Sequence, residues 1–195
     1  MSTLTKKFAP EEFAFDFDGV VGQTMELFLA IGKEEFGLPE IPVSAIKAYD
    51  LRQFVGAPAE ILLEMIMKVM EPEYTRRIQP VPGVAEFLGK LAQKNTPLLC
   101  ITARPDAEST KLWFSEILGF DESVCEVIAT GNFNAKADVL KERGKRLFIE
   151  DRLETCFHLE KEGISPIIYA RPWNRQPHSF REVSSWAEVG AFLDL

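Results

Sequence analysis

The alternation of apolar and polar positions divides the chain into two kinds of segment. Short bursts of nearly continuous apolar character fall at residues 12–17 (EFAFDF), 97–102 (PLLCIT), 125–129 (CEVIA), 146–150 (RLFIE) and 166–170 (PIIYA). Each has the length of a strand. A strand that is apolar on both faces belongs in a sheet covered on both sides, which is the situation of parallel strands. Segments of helical period lie between the bursts. Residues 84–94 follow Pro82-Gly83, residues 106–118 open with acids, residues 135–143 follow Asn134, and residues 153–162 stop at Gly163. Polar starts and glycine stops are the expected helix punctuation. Strand and helix in repeated alternation predict right-handed crossovers and a doubly wound parallel α/β core.

Residues 23–79 break this rhythm, because only helical patterns occur there. Ile61, Leu62, Met65, Ile66 and Val69 fall on one face at helical spacing, and residues 24–36 carry a second amphipathic stripe. Gly37-Leu38-Pro39 and Ile41-Pro42 punctuate the gap between them. The pattern predicts a small all-helical insertion at 23–79, with 1–22 and 80–195 forming the core and Gln23 and residues 79–82 as the hinges. The run of Met65, Met67 and Met70 reads as bundle core and surface, since methionine is an adaptable gap filler.

Composition narrows the function. A chain of 195 residues can bury one core and carry a modest accessory region. Hydrophobic residues make up 46% and charged residues 27%, ordinary for a soluble globular protein. The longest apolar runs, at 97–101 and 147–149, are far too short to cross a bilayer. The early lysines are not followed by an apolar stretch, so no signal peptide and a cytoplasmic location are expected. Cys100, Cys125 and Cys156 have neither paired spacing nor a clustered histidine, and read as buried thiols. The formal net charge of −8 argues against a nucleic-acid polymer as partner, and leaves open a small anion in a local pocket.

Ligands of open α/β sheets bind beyond the carboxyl ends of the strands. The first predicted strand ends at Asp16-Phe17-Asp18-Gly19, the second at Thr102-Ala103-Arg104-Pro105 and the fourth at Glu150-Asp151-Arg152. Carboxylates therefore converge on one edge of an apolar sheet. Like charges in a low dielectric repel unless a cation joins them, and oxygen-only ligands point to a hard ion, with Mg²⁺ the default. Lys136 stands in the first predicted turn of a helix, where the dipole disfavours a cation unless an anion shares the place. Asp16 has no helix nearby to cap, so a purely structural role explains it poorly.

This constellation resembles the haloacid dehalogenase (HAD) superfamily, whose motifs occur here in order. The first is similar to Asp16-Phe17-Asp18-Gly19-Val20-Val21, the second to Leu99-Cys100-Ile101-Thr102, the third to Lys136 in preference to Lys145, and the fourth to Glu150-Asp151. The resemblance implies a Rossmann-like doubly wound core, with a helical cap of the first type at 23–79. It implies that Asp16 is the nucleophile, forming an aspartyl-phosphate, and that Asp18 is the general acid and base. Thr102, Ala103 and Lys136 would bind phosphate. Mg²⁺ would be held by Asp16, Asp151, the backbone carbonyl of Asp18 and Glu150, directly or through water.

Asp18 disfavours dehalogenation, since halide needs no protonation, and an ion pump would need membrane helices. A phosphatase or a phosphomutase remains, with a small phosphorylated metabolite as substrate. A catalytically dead phosphate-ligand binder is the alternative of another class, against which the intact motifs count. Phe148-Ile149-Glu150-Asp151-Arg152 and Tyr169-Ala170-Arg171-Pro172-Trp173-Asn174-Arg175 look like the bacterial relatives of the cytosolic 5′(3′)-deoxyribonucleotidases. That implies a nucleoside monophosphate, with Phe28, Phe36, Tyr49 and Phe54 as candidate base-stacking residues. Trp173 could instead simply cover the sheet edge.

Overall fold

The structure is a computed structural model and describes residues 7–195, apart from the side chains of Gln53 and Phe54. In chain order the main elements are β1 (Phe13–Phe15), α1 (Thr24–Phe36), α2 (Arg52–Val55), α3 (Ala59–Met70), α4 (Pro72–Thr75), α5 (Val84–Ala92), β2 (Leu98–Thr102) and α6 (Glu108–Trp113). They continue with β3 (Cys125–Ala129), α7 (Lys136–Glu142), β4 (Leu147–Glu150), α8 (Leu153–Lys161), β5 (Ser165–Tyr169), β6 (Arg181–Val183) and α9 (Trp186–Val189). The six strands form one parallel sheet in the order β3-β2-β1-β4-β5-β6. The chain runs outward from β1 to β3, then crosses back to lay β4 on the other side of β1. The strand order reverses beside β1, and at such a point the loops leaving neighbouring strands part to open a crevice.

The continuous apolar strands are buried on both faces, and alternate residues sort into separate cores. Phe13, Phe15, Cys100, Ile149 and Ile167 join the larger core with Val84 and Leu88 of α5 and Trp186 of α9. Their neighbours Ala14, Leu99, Ile101 and Phe148 face the other way, onto Ala137 and Leu140 of α7 and Leu159 of α8. The strand period of two thus sends every second side chain to each face.

The expected strand at 12–17 pairs over a shorter span, because the chain turns at once. The Phe17 carbonyl accepts hydrogen bonds from the N–H groups of Val20, Val21 and Gly22. Gly19 stands at φ 72° there, where a side chain would be strained. The expected helix at 106–118 is α6 followed by a π-helical turn over Phe114–Leu118. β6 and α9 had no counterpart in the sequence reading. β6 has three residues, too few to show a period, and is recognisable only by its pairing with Ile167, Ile168 and Tyr169.

Residues 23–79 contain helices and connecting turns but no strand. α1 packs against α3, burying Leu27, Phe28 and Ile31 against Leu62, Met65 and Val69. Entry and exit run side by side, since Gln23 N–H donates to the Gln79 carbonyl at 2.9 Å and Val81 N–H to the Val21 carbonyl at 2.8 Å. Only Met65 of the methionine run is core. Met67 is 60% exposed, and with Met70 it also lines a cavity facing the sheet.

Trp186 ties the last helix to the loop after β1. Its indole is fully buried, meets Phe15 edge-on at 5.9 Å, and donates from Nε1 to the Val20 carbonyl at 3.0 Å. Trp186→Phe removes this donor and leaves a small void. It should cost about 2–4 kcal/mol, which for a domain of this size lowers Tm by about 5–15 °C in a thermal melt.

Candidate active site

β1 and β4 are neighbours in register, with Phe15 opposite Ile149, and Asp16 N–H continues the ladder by donating to the Ile149 carbonyl at 3.0 Å. This places Asp16 beside Glu150 and Asp151. The three have ligand oxygens within 4.8 Å of one another, and all are buried. Lys136, at the first position of α7, is buried in the same cluster, with Nζ 2.9 Å from Asp16 and 2.7 Å from Glu150. A lysine at a helix start is explained by the carboxylates that meet it there. Lys145 lies elsewhere, donating to the Glu11 carbonyl at 2.7 Å.

Glu150 is fully engaged. One oxygen accepts from the N–H groups of Asp151 and Arg152 at 3.1 and 3.0 Å, and the other accepts from Lys136. Asp16 accepts its own neighbour's N–H, from Phe17, at 2.8 Å. Burial raises Asp16 well above the ordinary carboxylate range, and Glu150 adds to the rise against the pull of Lys136. Asp151 is raised in the same way, first by burial and then by Glu150. Burial would raise Glu150 too, yet Lys136 holds it below its usual value. Lys136 itself would be lowered by burial, but Asp16 and Glu150 reverse this and keep it charged.

Three carboxylates face a single ammonium, and a hard divalent cation fits the donor set because it would let Asp16 and Asp151 keep their charge in so buried a place. The carboxylate of Asp18 stands apart from this cluster. It receives Nε and Nη2 of Arg104, the closest contact being 2.7 Å, and the Thr24 hydroxyl at 2.7 Å. Burial would raise Asp18, but the Arg104 charge and these hydrogen bonds outweigh it and hold the carboxyl below the ordinary range. Two acids two residues apart are thus shifted in opposite directions, Asp16 by burial among carboxylates and Asp18 by Arg104.

Thr102 is fully buried at the end of β2. Its hydroxyl accepts from Arg104 N–H at 3.2 Å and comes within 3.5 Å of Asp18. Ala103 lines a cavity of about 800 Å³ that opens from Asp16, Asp18 and Asp151 toward the helical insertion. Phe28, Tyr49, Phe133 and Trp173 also line it. Tyr49 of the insertion meets Phe133 of the core edge-on at 5.9 Å, and Arg152 lies over both rings. Phe36 packs with the core cluster instead, and the Phe54 side chain lies outside the described residues.

Residues 171–174 hold the site from behind, a role the sequence reading missed. Trp173 Nε1 donates to Asp151 Oδ2 at 2.9 Å, so this indole orients a carboxylate. Asn174 Nδ2 donates to the carbonyls of Asp151 and Tyr169 at 2.7 and 2.8 Å. Arg171 Nε donates to the Gly19 carbonyl at 2.6 Å. Polar groups following a buried strand were the available signal, but their partners lie in other loops.

The family described as "5′ nucleotidase, deoxy (pyrimidine), cytosolic type C protein" matches residues 12–194. The chain belongs to this family. It is a HAD-type hydrolase related to the 5′-nucleotidases, and a phosphatase. Comparison with curated proteins gives no significant match. Among solved structures, CbbY from Rhodobacter sphaeroides in complex with xylulose-(1,5)bisphosphate is similar, with a TM-score of 0.63 and 17% identity over 95% of this chain and 99% of that one. A HAD-superfamily hydrolase of subfamily IA, variant 1, from Geobacter sulfurreducens gives 0.61 and 18%, covering 98% of each chain. A haloacid dehalogenase-like hydrolase from Streptococcus pneumoniae gives 0.59 and 16%, over 92% and 96%. At these identities the structures support the fold. Among the described residues no helix is long and apolar enough to cross a membrane.

Lys136→Met should leave Asp16, Glu150 and Asp151 buried without their counter-charge. Breaking a buried pair in this way costs about 3–5 kcal/mol, so Tm should fall by about 6–20 °C, and a thermal melt near neutral pH checks it.

Proposed function

We propose that this phosphatase is a magnesium-dependent phosphomonoesterase that works through an aspartyl-phosphate on Asp16 and takes nucleoside monophosphates. The observation that carries the reading is a buried carboxylate at the strand-order reversal, charge-paired to Lys136, at the floor of a cavity that also holds Asp18. In the first step an Asp16 oxygen attacks phosphorus in line. The bond from phosphorus to the ester oxygen breaks, and that oxygen takes a proton from Asp18, which must first take it up from solvent against the pull of Arg104. In the second step water attacks the same phosphorus, Asp18 takes the proton back, and inorganic phosphate leaves with Asp16 restored. The Thr102 hydroxyl, Ala103 and Lys136 would hold the transferring oxygens. Lys136 keeps the Asp16 carboxylate oriented while doing so. Asp16, Asp151 and the Asp18 carbonyl, with Glu150 nearby, would hold Mg²⁺, which supplies the neutralisation that lets two anions meet. The helical insertion at 23–79 would act as a cap over this site, hinged where Gln23 pairs with Gln79.

The cavity wall favours a base-bearing leaving group over a sugar phosphate. Phe28, Met67, Tyr49, Phe133 and Trp173 offer flat or adaptable apolar surface, against which a nucleobase and deoxyribose can pack. A hydroxyl-rich sugar would lose hydration there without enough partners in return. The CbbY relative, in complex with a sugar bisphosphate, shows that a similar fold also serves such ligands, so sugar phosphates are the competing reading.

Phosphate release from deoxynucleotides, ribonucleotides, sugar phosphates and an aryl phosphate, with Mg²⁺ or with EDTA, tests the proposal. Metal-dependent release favouring deoxynucleoside monophosphates is expected, and a preference for sugar phosphates would discard the substrate assignment. Asp16→Asn should abolish turnover, because an amide cannot form the phosphoenzyme. Asp18→Asn should still bind phosphate ligands while turnover falls by about 10²–10⁴-fold, read as kcat against ligand Kd.

A further inference from the structure

Arg104 follows β2 by two residues and is 2% exposed, yet its guanidinium reaches both the core and the helical insertion. Toward the core it forks onto Asp18, with Nε 3.0–3.2 Å from both oxygens and Nη2 2.7 Å from Oδ1. Toward the insertion Nη1 donates to the Thr75 hydroxyl at 2.8 Å and approaches the Val69 carbonyl at 3.4 Å. Thr75 is fully buried, and its hydroxyl in turn donates to the Val69 carbonyl at 3.0 Å, closing a small network at the junction of α3 and α4. The guanidinium plane is supported by the Phe17 ring, whose centroid lies 4.9 Å away, and Phe17 is wedged edge-on against Trp113 at 5.0 Å. A planar fork held at several points has little freedom to turn independently of its partners.

We infer that Arg104 is a positioning residue that couples the seating of the insertion segment 69–75 to the orientation of Asp18. With the segment in place, Thr75 fixes one arm of the guanidinium, and the remaining arms hold the Asp18 carboxyl at the mouth of the cavity. When the segment lifts, Nη1 loses its anchor, and Asp18 is left with a guanidinium free to tilt and the Thr24 hydroxyl. The acid and base of the proposed reaction is then set only while the insertion covers the site. This rests on the phosphatase chemistry proposed above, in which Asp18 serves the leaving oxygen. The physical coupling between segment and carboxyl does not depend on that chemistry.

Two measurements on the full chain separate the issues. The first is amide hydrogen exchange over residues 69–78 in wild type, Arg104→Lys, Thr75→Val and Asp18→Ala. Asp18 reaches the insertion by two routes, through Arg104 to Thr75 and through Thr24 to α1, so Thr24→Val, which removes only the second, is measured beside them. Faster exchange across the segment in Asp18→Ala and Arg104→Lys, with Thr24→Val near wild type, is expected; unchanged exchange in Asp18→Ala, or equally faster exchange in Thr24→Val, overturns the coupling through Arg104, whatever the enzyme's activity.

The second is kcat/KM for a deoxynucleoside monophosphate against p-nitrophenyl phosphate, whose leaving group needs no proton. Arg104→Lys keeps the positive charge and loses the fork. It should lower kcat/KM on the nucleotide by about 10–100-fold and on the aryl ester by only about threefold or less. Thr75→Val should give a smaller loss of the same kind, and that loss should vanish in the Arg104→Lys background. Equal losses on both substrates, or additive effects, would mark a merely structural arginine. Wild type that hydrolyses neither ester would refute the phosphatase mechanism alone, leaving the exchange measurement to decide the coupling.

Discussion

A lysine buried between two carboxylates is the constraint around which the site is built. Neighbouring parallel strands, β1 and β4, deliver Asp16 and Glu150 to the same edge, and neither can be left unpaired in so dry a place. Lys136 answers both from the start of α7. Glu150 is in turn pinned by the N–H groups that follow β4, so its position sets that of Lys136, and Lys136 sets Asp16. Buried ion networks of this kind contribute little net stability compared with apolar packing. What they provide is a carboxylate whose direction is fixed before any substrate arrives, with the reorganisation cost met during folding.

Asp16 and Asp18 show how one short loop makes two different acids. Phe17 lies between them and is fully buried against Trp113 and Phe114, which anchors the turn. Asp16 remains below, among other carboxylates, where burial disfavours its charge. Asp18 emerges beside Arg104 and Thr24, where its charge is favoured. Gly19 follows at positive φ, and a β-carbon there would overlap the Asp151 carboxylate, so the close approach of the two strand-end loops requires glycine. Trp173 and Trp186 stabilise the arrangement from outside, by donating to Asp151 and to the Val20 carbonyl.

The core was legible because buried parallel strands write themselves as continuous apolar runs. CEVIA at 125–129 marks β3 at its observed bounds, and the helical stripe at 24–36 marks α1 equally well. Carboxylates ending such strands are conspicuous for the same reason, since an apolar run has no other use for them. Lys136 stood out because it opposes the helix dipole. β6 was not legible, being three residues whose only mark is a ladder to β5.

Local pattern along the chain therefore determined five of the six strands, the doubly wound class and the acids at the strand ends. The long-range pairings were decided by tertiary structure alone. Arg104 finds Asp18 from 86 residues away and Thr75 from 29. Trp173 finds Asp151 from 22, and Met67, a surface methionine of the insertion, becomes cavity wall. An arginine after a strand, or a tryptophan in a loop, has the same local propensity whether it faces water or a buried carboxylate. Its partner is chosen only when the strand-end loops and the helical insertion close on one another, because hydrogen bonds and charge pairs act over a few ångströms and carry no periodic trace in sequence.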